Sequence, residues 1–135
     1  MKKLLSSGLV AGVVLLALSF GMLYLTILVF PNLAEQYYNP IFRTDSDRNF
    51  LFYIHPFVLG LALAWFWERF KEQFSGHFLL RALELGVVYA IVAVLPTMWI
   101  TFSAIDVSLT MVLTWLLYGF VQAIVAGIVF TKMNP

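Results

Sequence analysis

The sequence predicts an all-α fold, an integral membrane four-helix bundle with both termini on the cytoplasmic side. Three observations carry that expectation. Of the 135 residues 62% are apolar and 11% charged, which is more hydrocarbon than a soluble fold of this size hides. The apolar residues gather into four runs without strand-like alternation, each near or above the ~20 residues that cross a bilayer as a helix. Finally, Lys2, Lys3, Arg69, Lys71, Arg81 and Lys132 flank the ends that four crossings would place on one side. Only Arg43 and Arg48 remain for the other side, so the positive-inside rule orients the chain N-in/C-in. Backbone groups in hydrocarbon must be satisfied within the segment, which makes each run a helix.

The predicted spans are 8–30, 50–70, 79–101 and 107–131, in one transmembrane domain covering 1–135, with an outer loop over 31–49. The first begins Met-Lys-Lys and resembles a signal peptide, with Ala17-Leu18-Ser19 as a small-residue cleavage site. Its apolar run continues about eleven residues further, to Phe30, past the usual length of such a segment, so an uncleaved first helix is expected. The outer loop carries the Asn39-Pro40 turn signal and the polar run Thr44-Asp45-Ser46-Asp47. Two aspartates and neighbouring hydroxyls fall short of a calcium ligand set, and Asp47 or Asn49 is expected to cap the second helix. The second connection is charged, with Glu68 and Lys71 spaced to pair on a helix surface, and closes at Ser75-Gly76. Aromatic residues make up 17% of the chain and cluster at the span ends as interfacial anchors, Trp65, Phe66, Trp67, Phe74 and Phe78 at one, Tyr37, Tyr38, Phe52, Tyr53 and Trp99 at the other.

Small residues give the clearest packing signal. Gly119, Ala123 and Gly127 recur every four residues on the fourth helix, and Gly8 and Gly12 do so on the first, so other helices approach closely along both faces. The two inner ends are placed to meet each other, with packing inside one chain preferred over a dimer seam. Glu84 lies about five residues into the third helix, in register with Arg81 and His77. A proton path is the sharper reading of an intramembrane carboxylate, and an Arg81–Glu84 ion pair near the interface is the simpler and preferred one. Pro56 and Pro96 free the carbonyls of Phe52 and Val92, for which the hydroxyls of Thr97, Thr101, Thr110 and Thr114 are the nearest donors by depth. A small outward-facing polar pocket is the alternative use of the same groups.

Nearer the midplane stand Ser19, Tyr89, Trp115, Tyr118 and Gln122. A Gln122–Tyr89 hydrogen bond across the third and fourth helices is the preferred assignment. The alternative is a groove for a lipid or quinone headgroup along Trp115, Tyr118 and Gln122, with His55 as a further ligand-binding candidate at the outer end of the second helix. His55 is also a candidate axial ligand to a haem or pigment, but His77 stands at the opposite interface and cannot complete a bis-histidine pair within one chain.

The absences narrow the field. A net charge of +1 offers no nucleic-acid footprint, and a chain without cysteine has no disulfide framework, thiolate metal site or thiol nucleophile. There is no His-rich metal spacing, no paired-carboxylate constellation, no phosphate loop and no Ser–His pair, so catalysis is the minority reading and no catalytic residue, metal or cofactor is assigned.

The layout resembles small uncharacterised four-helix bacterial membrane proteins of a domain-of-unknown-function type. The resemblance rests on Gly21-Met22-Leu23-Tyr24, the outer loop that follows, and Trp115 through Gly127. It implies a fold and an inner (plasma) membrane location and brings no activity with it. The expected role is therefore helix association, as an accessory subunit of a membrane complex or as a homo-oligomer, with the bilayer and other membrane subunits or itself as partners. Binding or transport of a lipid, quinone or small solute between the helices is the alternative.

Overall fold

The computed structural model describes residues 1–42 and 48–135. Helix α1 runs Lys2–Val29, α2 Pro31–Gln36, α3 Asn49–Phe70, α4 Phe78–Tyr89, α5 Leu95–Ala104 and α6 Leu109–Met133. A π-helical segment, Ala90–Val94, joins α4 to α5 as a single 27-residue span. With α1, α3 and α6 this makes four helices long and apolar enough to cross a membrane, and the protein is a multi-pass membrane helix bundle. The short α2 was not anticipated in the outer loop. Pro31 sits at its first turn, where a missing N–H costs nothing.

Several ends differ from the expectation. α1 starts six residues early, because the Ser6 and Ser7 hydroxyls bond back to the Lys3 and Leu4 carbonyls and keep the polar start helical. Asn49 is the first residue of α3, and its N-cap position is held by Arg48 without a side-chain bond. Asp47, Arg43 and the polar run 44–47 lie outside the described residues. Ser108 caps α6 by accepting from the Met111 N–H, and His77 caps α4 by accepting from Leu79.

Packing follows the small residues. α1 lies against α3, and α4 against α6; α6 also touches α1 and α3 and so joins the two hairpins, while α3 and α4 scarcely meet. At the α1–α3 crossing a Cβ on Gly60 would stand 2.6 Å from the Gly8 carbonyl oxygen and 2.8 Å from the Gly12 nitrogen, so the two backbones are in direct contact. At the α4–α6 crossing a Cβ on Gly127 would stand 2.8 Å from the Ala82 Cα, and one on Gly119 would stand 2.9 Å from Val94. The two small-residue ladders therefore do not face each other as expected. Gly8 and Gly12 serve α3, and Gly119 and Gly127 serve α4 and the π segment, with Ala123 fully buried between them.

The main hydrophobic core fills one half of the bundle, and a smaller buried set, Leu33, Met111 and Val112, lies at the other end. Trp67, Phe130, Leu85, Leu15 and Ala126 are fully buried at the end that holds both termini, here called the base. Toward the opposite end, the mouth, burial fades: α1 buries nothing beyond Leu15, and α5 buries no side chain at all. Buried Pro56 and the π segment mark the depth at which the helices part. In the π segment the Leu95 N–H reaches back five residues to the Ala90 carbonyl, so Pro96 falls in the first turn of α5, where it breaks little. The Thr97 hydroxyl bonds to the Ala93 carbonyl rather than to Val92, and Thr101 and Thr114 each bond within their own helix. Thr114 lines a cavity described below, with neither proline in its wall.

A polar clasp closes the base. Trp67 Nε1 donates to the Asn134 carbonyl at 2.8 Å, Lys71 Nζ donates to Asn134 Oδ1 at 2.9 Å, and Asn134 Nδ2 donates to Glu68, which also pairs with Lys71. Arg81 stacks over Trp67 at 4.9 Å and donates to the Lys71 carbonyl.

The glycines make a direct test. Gly60→Leu and Gly127→Leu should each destabilise the folded monomer, by about 1–3 kcal/mol or more, since neither backbone can yield without parting two helices. Gly21, with nothing within 4 Å of its Cβ position, should accept alanine without loss. Thermal melting in mild detergent checks all three; an intact monomer with Gly127→Leu that merely changes oligomeric state would instead place that residue at a subunit seam.

Candidate functional site

Because the helices part above Leu15, α1 and α6 bound a cavity of ≈ 470 Å³ toward the mouth, within the roughly 300–1,000 Å³ range of small-molecule sites. Helical periodicity explains its walls. Ser19, Met22, Leu23, Thr26 and Ile27 fall on one face of α1, and Thr114, Trp115 and Tyr118 on one face of α6. Ala34 of α2, Tyr37, Tyr38 and Phe52 complete the lining.

The roof is fastened to α6. Trp115 Nε1 donates to the Tyr37 hydroxyl at 2.6 Å, and the rings of Tyr37, Phe42 and Trp115 lie with centroids 5.3 to 6.4 Å apart. Two turns before Trp115, the Ser108 hydroxyl donates to Gln36 Oε1 at the end of α2. A second cavity, of ≈ 380 Å³, lies beside Tyr38 and carries Glu35 and Asp106.

The hydroxyls of the deeper cavity are mostly committed. Ser19 donates to the Leu16 carbonyl, Thr26 to Met22 and Thr114 to Thr110, at 2.7 to 2.8 Å. Tyr118 differs. Its hydroxyl is buried beside Ser19 and Gln122 without a hydrogen bond of acceptable geometry. Gln122, one helical turn further in, is 4% exposed. Tyr118 thus stands between the cavity and a small buried polar set, its own hydroxyl and Gln122, at a depth where hydrocarbon offers such groups nothing.

Of the groove candidates, Trp115 and Tyr118 line the cavity, Gln122 is buried behind Tyr118 outside the lining, and His55 is exposed on α3. The preferred Gln122–Tyr89 bond is not made. Tyr89 instead lines a separate cleft of ≈ 450 Å³ between α3 and α4, with Leu63, Phe66 and Leu85. That cleft is the open side of the bundle and is almost wholly apolar.

The Arg81–Glu84 pair is not formed either. The connection after α3 folds back over α4, and its backbone groups take both side chains: Arg81 donates to the Lys71 carbonyl, and Glu84 accepts from the Ser75 N–H at 3.1 Å. Carbonyls orphaned at a helix end compete well for an arginine. Glu84 therefore serves the connection at the base.

Thr26, Gln36 and α2 were not singled out in the sequence. Pro31 after an apolar run, followed by Asn-Leu-Ala-Glu-Gln, is the signal that marks a helix start there. No group of three His, Asp or Glu residues is placed to hold a metal ion among the described residues. Comparison with family models, with curated proteins and with solved structures finds no match.

Proposed function

We propose that this protein binds, and in a carrier role hands on, a single membrane amphiphile held between α1 and α6 at the mouth. The observation that carries the reading is a cavity whose walls are apolar but whose floor holds a buried tyrosine hydroxyl without a hydrogen-bond partner. A spanning bundle built only for association has no use for such a floor, since each unsatisfied polar group in hydrocarbon costs free energy.

The association reading drew on the ladder from Gly119 to Gly127. Those glycines are occupied within the chain by Val94 and Ala82, which leaves the cleft better supported as the working part. An accessory-subunit or homo-oligomer role would have to use a different face, such as the apolar cleft beside Tyr89 or the apolar groove at Ile91 and Leu117.

The proposed setting is a plasma membrane with the base in the cytoplasm. Lys2, Lys3, Arg69, Lys71, Arg81 and Lys132 ring the base, so the positive-inside rule turns the mouth outward and opens the cleft to the outer leaflet.

Two measurements test these points. Ser19→Phe should fill the cavity and reduce the retained amphiphile, read by native mass spectrometry from a mild detergent, to background while leaving the melting temperature unchanged or higher. Undiminished retention would remove the cleft from consideration. For orientation, the absence of cysteine makes single replacements clean. Asn39→Cys should react with an impermeant maleimide on intact cells, and Ser75→Cys only after lysis; the reverse pattern would place the mouth in the cytoplasm.

A further inference from the structure

We propose that the cleft between α3 and α4 seats a membrane phospholipid, with one acyl chain along Leu63, Val88 and Tyr89 and the phosphate held at Arg69. The site lies on other helices than the α1–α6 cleft and does not depend on what that cleft binds.

The dimensions of the cleft select a lipid chain. Its walls run from Leu59 to Phe66 on α3 and from Leu85 to Ala93 on the third span, rises of about 10 and 12 Å at 1.5 Å per residue. Half of a ~30 Å hydrocarbon layer is about 15 Å, so the cleft has the depth of one leaflet. It reaches from near the middle of α3 to one turn short of its base end at Phe70. A spanning helix from a partner makes contact through both leaflets and is about 10 Å across. An acyl chain is a single row of methylenes that stops near the midplane, and the small side chains of Ala62 and Ala93 give it room on both walls.

The base rim supplies the place for a head. Arg69, one turn beyond Trp65, lays its guanidinium 4.5 Å from the centre of the Trp65 ring, and Trp65 forms part of the cleft wall. Stacking occupies the face of the guanidinium and leaves its N–H edge open, the edge with which arginine receives phosphate oxygens in pairs. The other base cations nearby are spent: Lys71 on Glu68 and Asn134, and Arg81 on the Lys71 carbonyl and the Trp67 ring. Glu68 and Glu84 are likewise engaged, with Asn134 and with the Ser75 N–H. Among the described residues Arg69 makes no ion pair, with exposed Glu72 or with any other carboxylate. A cation with open donors at the end of a one-leaflet apolar groove complements a phosphodiester joined to an acyl chain.

The test places the full chain in nanodiscs with dioleoyl phosphatidylglycerol, dioleoyl phosphatidylcholine and dioleoylglycerol at equal mole fraction, and counts the lipid retained in mild detergent by native mass spectrometry. Either phospholipid should be retained on the order of tenfold over dioleoylglycerol, which has the same chains and no phosphate, and Arg69→Gln should remove that margin. Ala62→Trp, exposed in the cleft, should fill the groove and lower retention of all three. Lys3→Gln, at the same end but on α1, should change nothing. Arg69 and Ala62 are remote from the α1–α6 cleft, so losses caused by these two variants belong to the α3–α4 site alone. Equal retention of the three lipids, or a margin that survives Arg69→Gln, overturns the proposal, and so does a loss with Lys3→Gln as large as that with Arg69→Gln, which reduces the effect to the general charge of the base. If Ala62→Trp leaves the lipid counts unchanged and instead dissolves a dimer or releases a co-purifying subunit, the cleft is a protein seam and the lipid assignment falls.

Discussion

The contact of backbone on backbone at Gly8, Gly12 and Gly60 sets the form of the rest of the molecule. In hydrocarbon no solvent pushes apolar helices together, so the association of α1 with α3 rests on the close approach that only residues without a side chain allow. That approach lies toward the base, as do Ala82 against Gly127 and the interlocked Trp67, Phe130 and Asn134. Toward the mouth the contacts are side chain on side chain, Phe20 against Phe52 and Tyr53 between α1 and α3 and Trp115 against Tyr37 at the roof, and there α1 and α6 leave a cleft between them. The cleft between α1 and α6 is thus a geometric result of where the glycines stand.

The two prolines are accommodated differently. α3 continues as an α-helix through buried Pro56, and the π segment before Pro96 absorbs an extra residue so that the third span carries its hydrogen-bond ladder up to the proline. Polar side chains then appear where packing ceases. Ser19, Tyr118 and Gln122 stand just above the core, the depth at which an unpaired hydroxyl is most expensive and at which a visiting molecule has most to offer.

Much of this was legible in the sequence. Run length and the scarcity of charge were enough for four spans, because the bilayer imposes a length that composition reveals directly. The small-residue ladders were equally plain as contact faces, but their partners were not: a repeat every four residues says that a helix is close without saying which one. The same limit explains the errors at Arg81, Glu84 and Tyr89. Helical register showed which side chains share a face, but not that the connection at 71–77 would fold back with unsatisfied backbone groups and draw Arg81 and Glu84 to itself. Trp115, Tyr118 and Gln122 were recognisable as a set because they share one face of α6, whereas α2 was obscured by the polar loop around it.

The role of α6 as the one helix touching every other span bears on the order in which the chain assembles. During synthesis α1 and α3 emerge first and already possess their complete glycine seam, so this hairpin has a stable arrangement while the last two spans are still to be made. The third span has no such opportunity. It scarcely meets α3, and its partners, Phe120, Ile124 and Gly127, are made only afterwards. It must therefore wait in the bilayer, its Gly86 face open to lipid, until the last helix arrives. The interval lasts as long as the synthesis and insertion of α6, and it ends when Phe120 and Ile124 cover Gly86.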